Sequence, residues 1–104
     1  MSDPRQGDVW WAEADDKRRP VLVVTRNEAI PVLRRLVVAP VTRTVRGIPT
    51  EVALGAEEGL PVECAASFDN LQPVDRKVLT ERIGALPATR RREVRSALDA
   101  LADC

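Results

Sequence analysis

An unbroken apolar run, Val21-Leu22-Val23-Val24, entered through Arg19-Pro20, constrains this chain more than any other feature. A short apolar run bounded by a proline and by the polar Thr25-Arg26-Asn27 reads as a buried strand. Proline sits most comfortably at the first residue of a strand, so a strand is expected over residues 20–25 with Pro20 leading it. A second run, Leu36-Val37-Val38-Ala39-Pro40, reads as a central strand over residues 36–41 and leads into Thr42-Arg43. Two such strands, once paired, deliver an arginine and a threonine to one end of a small sheet.

The rest of the chain repeats short strands and frequent turns. Gly7-Asp8 opens a strand over residues 9–14, in which Trp10 and Trp11 point to opposite faces because side chains alternate along a strand. One tryptophan enters the core; the other lies outside, where a partner or ligand covers it. Asp15-Asp16-Lys17 is a polar turn, and Pro31 makes residues 27–35 a loop. Residues 42–49 form a charged loop, 50–54 alternate as a half-buried strand, and 55–61 form an acidic turn. Further strands are expected over 62–67, 69–74 and 79–85, with a turn at Asp75-Arg76-Lys77. After Pro87 the period changes. Val94, Ala97, Leu98 and Leu101 fall on one face of an amphipathic helix. This pattern predicts an α+β, mainly β fold: a strongly bent antiparallel barrel carrying a C-terminal helix, all within one domain spanning residues 1–104.

A chain of 104 residues builds one modest core, and with Trp10, Trp11 and Phe68 as its only aromatic residues that core is aliphatic. A second copy extending it is the natural expectation. The formal charge is zero, but Lys17, Arg18, Arg19, Arg26, Arg34, Arg35, Arg43 and Arg46 crowd the first half, leaving room for a basic face. Arg90-Arg91-Arg92 is a second cluster, suited either to a nucleic acid or to a solvated helix face. Cys64 and Cys104 make neither a disulfide framework nor a metal-ligand spacing. With no apolar leader and no run of membrane length, a cytoplasmic protein with reduced thiols is expected, without cofactor or metal and without membrane attachment.

The chain contains no histidine. Ser/His/Asp and Cys/His catalysis are therefore excluded, as is RNA cleavage by paired histidines. No phosphate-binding glycine loop or dinucleotide fingerprint is present. Arginine and threonine suffice for one reaction. In RNA the nucleophile is the neighbouring 2′-hydroxyl, so the substrate supplies its own proximity. The protein then has to orient the phosphate and stabilise charge rising on its oxygens, which a forked guanidinium does well. The commonplace alternatives are a surface ion pair between Arg19 and Asp15, Asp16 or a distant acid, and turn bonding of Thr42 to the backbone.

Gly7-Asp8-Val9-Trp10, Arg19-Pro20-Val21-Leu22-Val23-Val24, Ala39-Pro40-Val41-Thr42, Gly59-Leu60-Pro61, Ser67-Phe68-Asp69-Asn70-Leu71 and Ile83-Gly84-Ala85-Leu86 occur in this order. Together they make the chain resemble the MazF/PemK family of bacterial toxin endoribonucleases, over nearly its whole length. The resemblance implies an SH3-like barrel, a homodimer, and metal-independent cleavage of single-stranded RNA at short sequences, leaving 2′,3′-cyclic phosphate and 5′-hydroxyl ends. It implies Arg19 and Thr42 as catalytic residues, and Arg43, Ser67, Asp69 and Gln72 as RNA contacts. It also implies a cognate antitoxin that lays an acidic, flexible segment over the groove. The chain departs from many relatives in its short connection before Arg19 and in Gln72, where a basic residue is common. A toxin of the same fold that poisons DNA gyrase without catalysis is the alternative.

Overall fold

The computed structural model describes residues 3–103. Strands β1 (Asp8–Ala14), β2 (Lys17–Val23), β3 (Arg35–Thr42), β4 (Glu51–Leu54), β5 (Cys64–Ser67), β6 (Gln72–Asp75) and β7 (Leu79–Ala85) form one antiparallel sheet, followed by helix α1 (Arg92–Ala102). The expected bent sheet and terminal helix are both present. The sheet is a curled half-barrel: its path runs β4-β5-β3-β2-β1-β7, so β4 and β7 are edges not bonded to each other.

What holds those edges together is a close approach of backbone. The turn after β4, residues 56–59, lies against β7. A Cβ on Gly84 would strike the Glu58 carbonyl oxygen, and one on Gly59 would strike the Ile83 carbonyl oxygen. Gly59 also has φ of 90°, a left-handed conformation that disfavours any other residue. The two glycines thus belong to the separate signals Gly59-Leu60-Pro61 and Ile83-Gly84-Ala85, and each lets the other segment's backbone come close.

Strand β2 differs from expectation. It starts at Lys17 rather than Pro20, because Asp15 and Asp16, with φ of 53° and 63°, form a two-residue hairpin turn between Ala14 and Lys17. Both angles positive is the geometry whose twist matches paired strands, and aspartate tolerates it better than most residues. Pro20 therefore stands inside the strand, opposite Trp11. Pairing of β2 with β3 begins only at Val21, opposite Pro40, so Pro20 lies where β2 is paired on one edge alone.

Strand β3 is shared. Arg35–Val38 pair with β6, while Val41 and Thr42 pair with β5, opposite Ala66 and Ala65. Pro40 falls in the gap between these two pairings, where its missing N–H breaks no bond on that edge. Asp69 and Asn70, expected to open a strand over residues 69–74, instead belong to a 3-10 turn at Phe68–Asn70, and β6 begins at Gln72.

Alternation gives the curled sheet two apolar clusters. Val9, Leu22, Ala39, Phe68, Leu86 and the Val94 and Ala97 face of α1 make one. Trp10, Val21, Val23, Ile30, Leu36 and Val38 make the other. The two tryptophans part as expected: Trp10 is buried in the second cluster, and Trp11 is half-buried with the Arg18 guanidinium carbon 4.2 Å from its ring centre. Among the described residues no helix is long and apolar enough to cross a membrane.

Candidate functional site

Where β2 and β3 part, a cleft opens. Carried two residues beyond the Val21–Pro40 pair, the register sets Arg19 level with Thr42. There the strands have diverged, because Thr42 is bonded to β5 and Arg19 is opposite Ala12 of β1. The space between is a cleft of about 420 Å³, and both residues line it. Arg43, Ser67 and Asp69 line it as well. Gln72 does not: it lies in a neighbouring groove with Val74 and Ala12, which Arg19 also borders. Five of the six expected residues thus share one cleft.

Four further polar lining residues, Thr44, Arg46, Glu51 and Asn70, were not among the expected contacts. Glu51 had a readable signal. It alternates with buried Val52 and stands opposite Ser67 in the β4–β5 ladder, so both polar side chains leave the core on the cleft side.

A set of hydrogen bonds shapes the walls. The Glu51 carboxylate accepts the backbone N–H groups of Arg46 and Gly47 at 2.9 and 3.0 Å, which holds the loop carrying Arg43 and Arg46. The buried Thr50 hydroxyl donates to Asp69 at 2.8 Å, and the Asn70 amide donates to the Ser67 hydroxyl at 2.9 Å. The Thr42 Oγ1 accepts the Thr44 N–H at 3.1 Å. That turn bond uses an acceptor lone pair and leaves the hydroxyl proton free to be donated into the cleft.

The charges divide by function. Arg18, not Arg19, takes the surface ion pairs, with Glu81 at 2.9 Å and Glu13 at 3.9 Å. Among the described residues the side chains of Arg19, Arg43 and Arg46 make no ion pair or hydrogen bond. Three unpartnered guanidinium groups around one cleft make a site for an anion, and guanidinium forks match phosphate geometry.

Arg90, by contrast, is part of the framework. It reaches the buried Glu58 carboxylate at 3.3 Å, the Glu93 carboxylate at 2.7 Å and the Ala53 carbonyl at 2.7 Å. Its hydrogen bond to Glu93 raises the Arg90 pKa, and the same bond holds the Glu93 carboxyl below its ordinary value. So Arg90 is withdrawn from any nucleic-acid surface that the arginine cluster offers. Burial first, then Glu58, push the Cys64 thiol up, against the opposing charge of Arg43. Cys64 is buried as a neutral thiol, its Sγ 3.7 Å from the Leu54 carbonyl, and Cys104 lies outside the described residues.

The chain is similar to known proteins along nearly its whole length. The family described as PemK-like, MazF-like toxin of type II toxin–antitoxin systems matches residues 5–102. The chain is 43% identical over 103 residues to a protein of Mycobacterium tuberculosis H37Rv named probable endoribonuclease MazF5, covering 97% of this chain and 94% of that one. Among solved structures, M. tuberculosis toxin MazF-mt6 superposes with a TM-score of 0.83 at 38% identity, covering 92% of this chain and 96% of that one. A crystal structure of MazE–MazF from Deinococcus radiodurans superposes with a TM-score of 0.78 at 28% identity, covering 98% and 97%.

Proposed function

The chain belongs to the PemK-like, MazF-like toxins of type II toxin–antitoxin systems, and we propose that it is an endoribonuclease that cuts single-stranded RNA at short sequences. The observation that carries this reading is the cleft shared by Arg19 and Thr42, with its guanidinium groups unpartnered. The cut strand lies along the cleft with the scissile phosphate at Arg19. The 2′-hydroxyl of the ribose whose own 3′-oxygen carries that phosphate attacks phosphorus and gives up its proton, the bond from phosphorus to the 5′-oxygen of the next nucleotide breaks, and that oxygen takes up a proton. The products carry a 2′,3′-cyclic phosphate and a 5′-hydroxyl.

Charge accumulates on the phosphate oxygens as the bond forms. The Arg19 guanidinium meets it, and the Thr42 hydroxyl donates to an oxygen of the same group. Neither role needs a metal ion, and the absence of histidine leaves the electrostatic contribution as the main one. Arg43 fits an adjacent phosphate. Asp69 and Ser67, on the opposite wall, offer an acceptor and a hydroxyl to base edges.

The active form is a homodimer, and a cognate antitoxin silences it with an acidic, flexible segment that competes for the same guanidinium groups. The MazE–MazF pair of the Deinococcus relative supports such a partner.

The test is digestion of a mixed single-stranded RNA in EDTA with mapping of the new ends. Discrete cuts with 5′-hydroxyl ends are expected. The Arg19→Ala variant should be about 100- to 1,000-fold slower, the usual loss for one donor to a developing oxyanion. Equal cutting by both proteins would remove Arg19 from the mechanism. No cutting by either would leave the gyrase-directed alternative.

A further inference from the structure

Beside the Arg19–Thr42 cleft lies a second, more apolar recess of about 300 Å³. Its walls are Trp11, Arg18, Pro20, Leu60, Pro61 and Val62, and Arg19 and Arg43 border it as well as the first cleft. The two unpartnered guanidinium groups therefore stand at the boundary between a polar space and an apolar slot. Trp11 takes no part in either apolar cluster, so core packing does not account for its ring.

The slot holds a flat surface made in advance. The Arg18 guanidinium carbon sits 4.2 Å from the Trp11 ring centre, and its ion pairs with Glu81 and Glu13 hold it there. Those carboxylates also offset its charge, so Arg18 contributes a plane, whereas Arg19 and Arg43 contribute charge. Two prolines and buried Leu60 give the remaining walls little freedom.

We infer that this slot takes one unstacked nucleobase of the bound strand, lying flat against the Trp11–Arg18 pair while the backbone phosphates on either side of it rest on Arg19 and Arg43. The inference rests on the proposed ribonuclease reading and adds to it a residue, Trp11, that selects and positions substrate. A nucleotide joins a flat apolar ring to an anion over a short covalent reach, and the slot and its mouth present the matching pair of surfaces. Single-stranded RNA is recognised by stacking on aromatic and guanidinium planes.

The test measures binding apart from cleavage. Fluorescein-labelled 2′-O-methyl RNA hexamers, which lack the nucleophile, are titrated by anisotropy beside a hexamer of the same backbone without bases. Wild-type protein should bind the base-bearing hexamers roughly 5- to 150-fold more tightly, the range for one stacked base. Trp11→Leu should abolish most of that difference and Trp11→Phe should keep most of it. Val62 is 46% exposed at the rim, so Val62→Phe narrows the slot without disturbing the core, and should weaken only the base-bearing hexamers. Circular dichroism checks the fold of each variant.

A preference for bases that survives in Trp11→Leu overturns the inference, as does an equal loss for both kinds of hexamer. So does an unchanged preference accompanied by weaker binding of an acidic peptide, which would make the slot a protein-docking site. Cleavage of RNA with no dependence on Trp11 would leave the ribonuclease reading standing and remove the slot. Trp11-dependent binding with no cleavage of any RNA would do the reverse.

Discussion

Arg19 and Thr42 stand level on β2 and β3, two positions past the last bonded pair of those strands, Val21 and Pro40, and they line the same cleft. Had the strands stayed paired, cross-strand neighbours would have filled the space with their own contacts. Divergence leaves an unpartnered guanidinium and a donatable hydroxyl around an opening.

The hydroxyl of Thr42 can be tested separately from its bulk. Thr42→Val keeps the shape and loses the donor, so cleavage should fall about 10- to 100-fold, the value of a hydrogen bond to a charged group. Thr42→Ser should recover most of the rate. Single-turnover kinetics on a mapped RNA site checks this; a Val variant as fast as Ser would give Thr42 a purely structural role.

Asp69 and Gln72 should behave differently. Asp69 lines the cleft and is held by Thr50, whereas Gln72 lies in the adjoining groove. Sequencing of cleavage ends from a random RNA pool should show an altered base preference for Asp69→Ala and an unaltered one for Gln72→Ala.

Gly84→Ala should destabilise the fold by about 3 kcal/mol or more, the upper range for overpacking. The added carbon meets the backbone of Glu58 and Gly59, which cannot rotate aside as a side chain can. A urea titration reads the loss as a lower midpoint with an unchanged slope.

The Arg90–Glu93 pair makes stability depend on acid. The Glu93 carboxyl is held below its ordinary value of 4.5, first by its hydrogen bond to Arg90. Its folded-state pKa is depressed, so its contribution is complete above the unfolded value and is lost as pH falls through the folded one. Thermal midpoints of the parent and Glu93→Gln should therefore differ most near neutral pH and converge in acid. A gap that persists at low pH would assign the difference to packing.

Much of this was legible in the chain. β7 spans residues 79–85 as expected, and the Val94–Ala97 stripe of α1 packs inward, because hydrophobic period is a local signal. The start of β2 was not legible. Pro20 resembles a strand opening, yet the Asp15-Asp16 turn extends the hairpin to Lys17, and an aspartate's positive φ leaves no mark in composition. The role of Arg90 was equally hidden: in sequence it is one of three adjacent arginines, and the approach of Glu58 and of the Ala53 carbonyl across the fold singles it out.

By itself, then, the sequence determined the strands near the site, the aliphatic core, the lack of histidine chemistry and the placing of Arg19 and Thr42 beside two apolar strand runs. Alternation and residue chemistry act over a few positions and can be read along the chain. Tertiary structure alone decided which arginines are free, that Gln72 faces a different groove from Asp69, and that Gly59 and Gly84 must meet to bring the open sheet's edges together. Each of these depends on which distant backbone or carboxylate arrives beside a residue, and that is set only when the sheet curls.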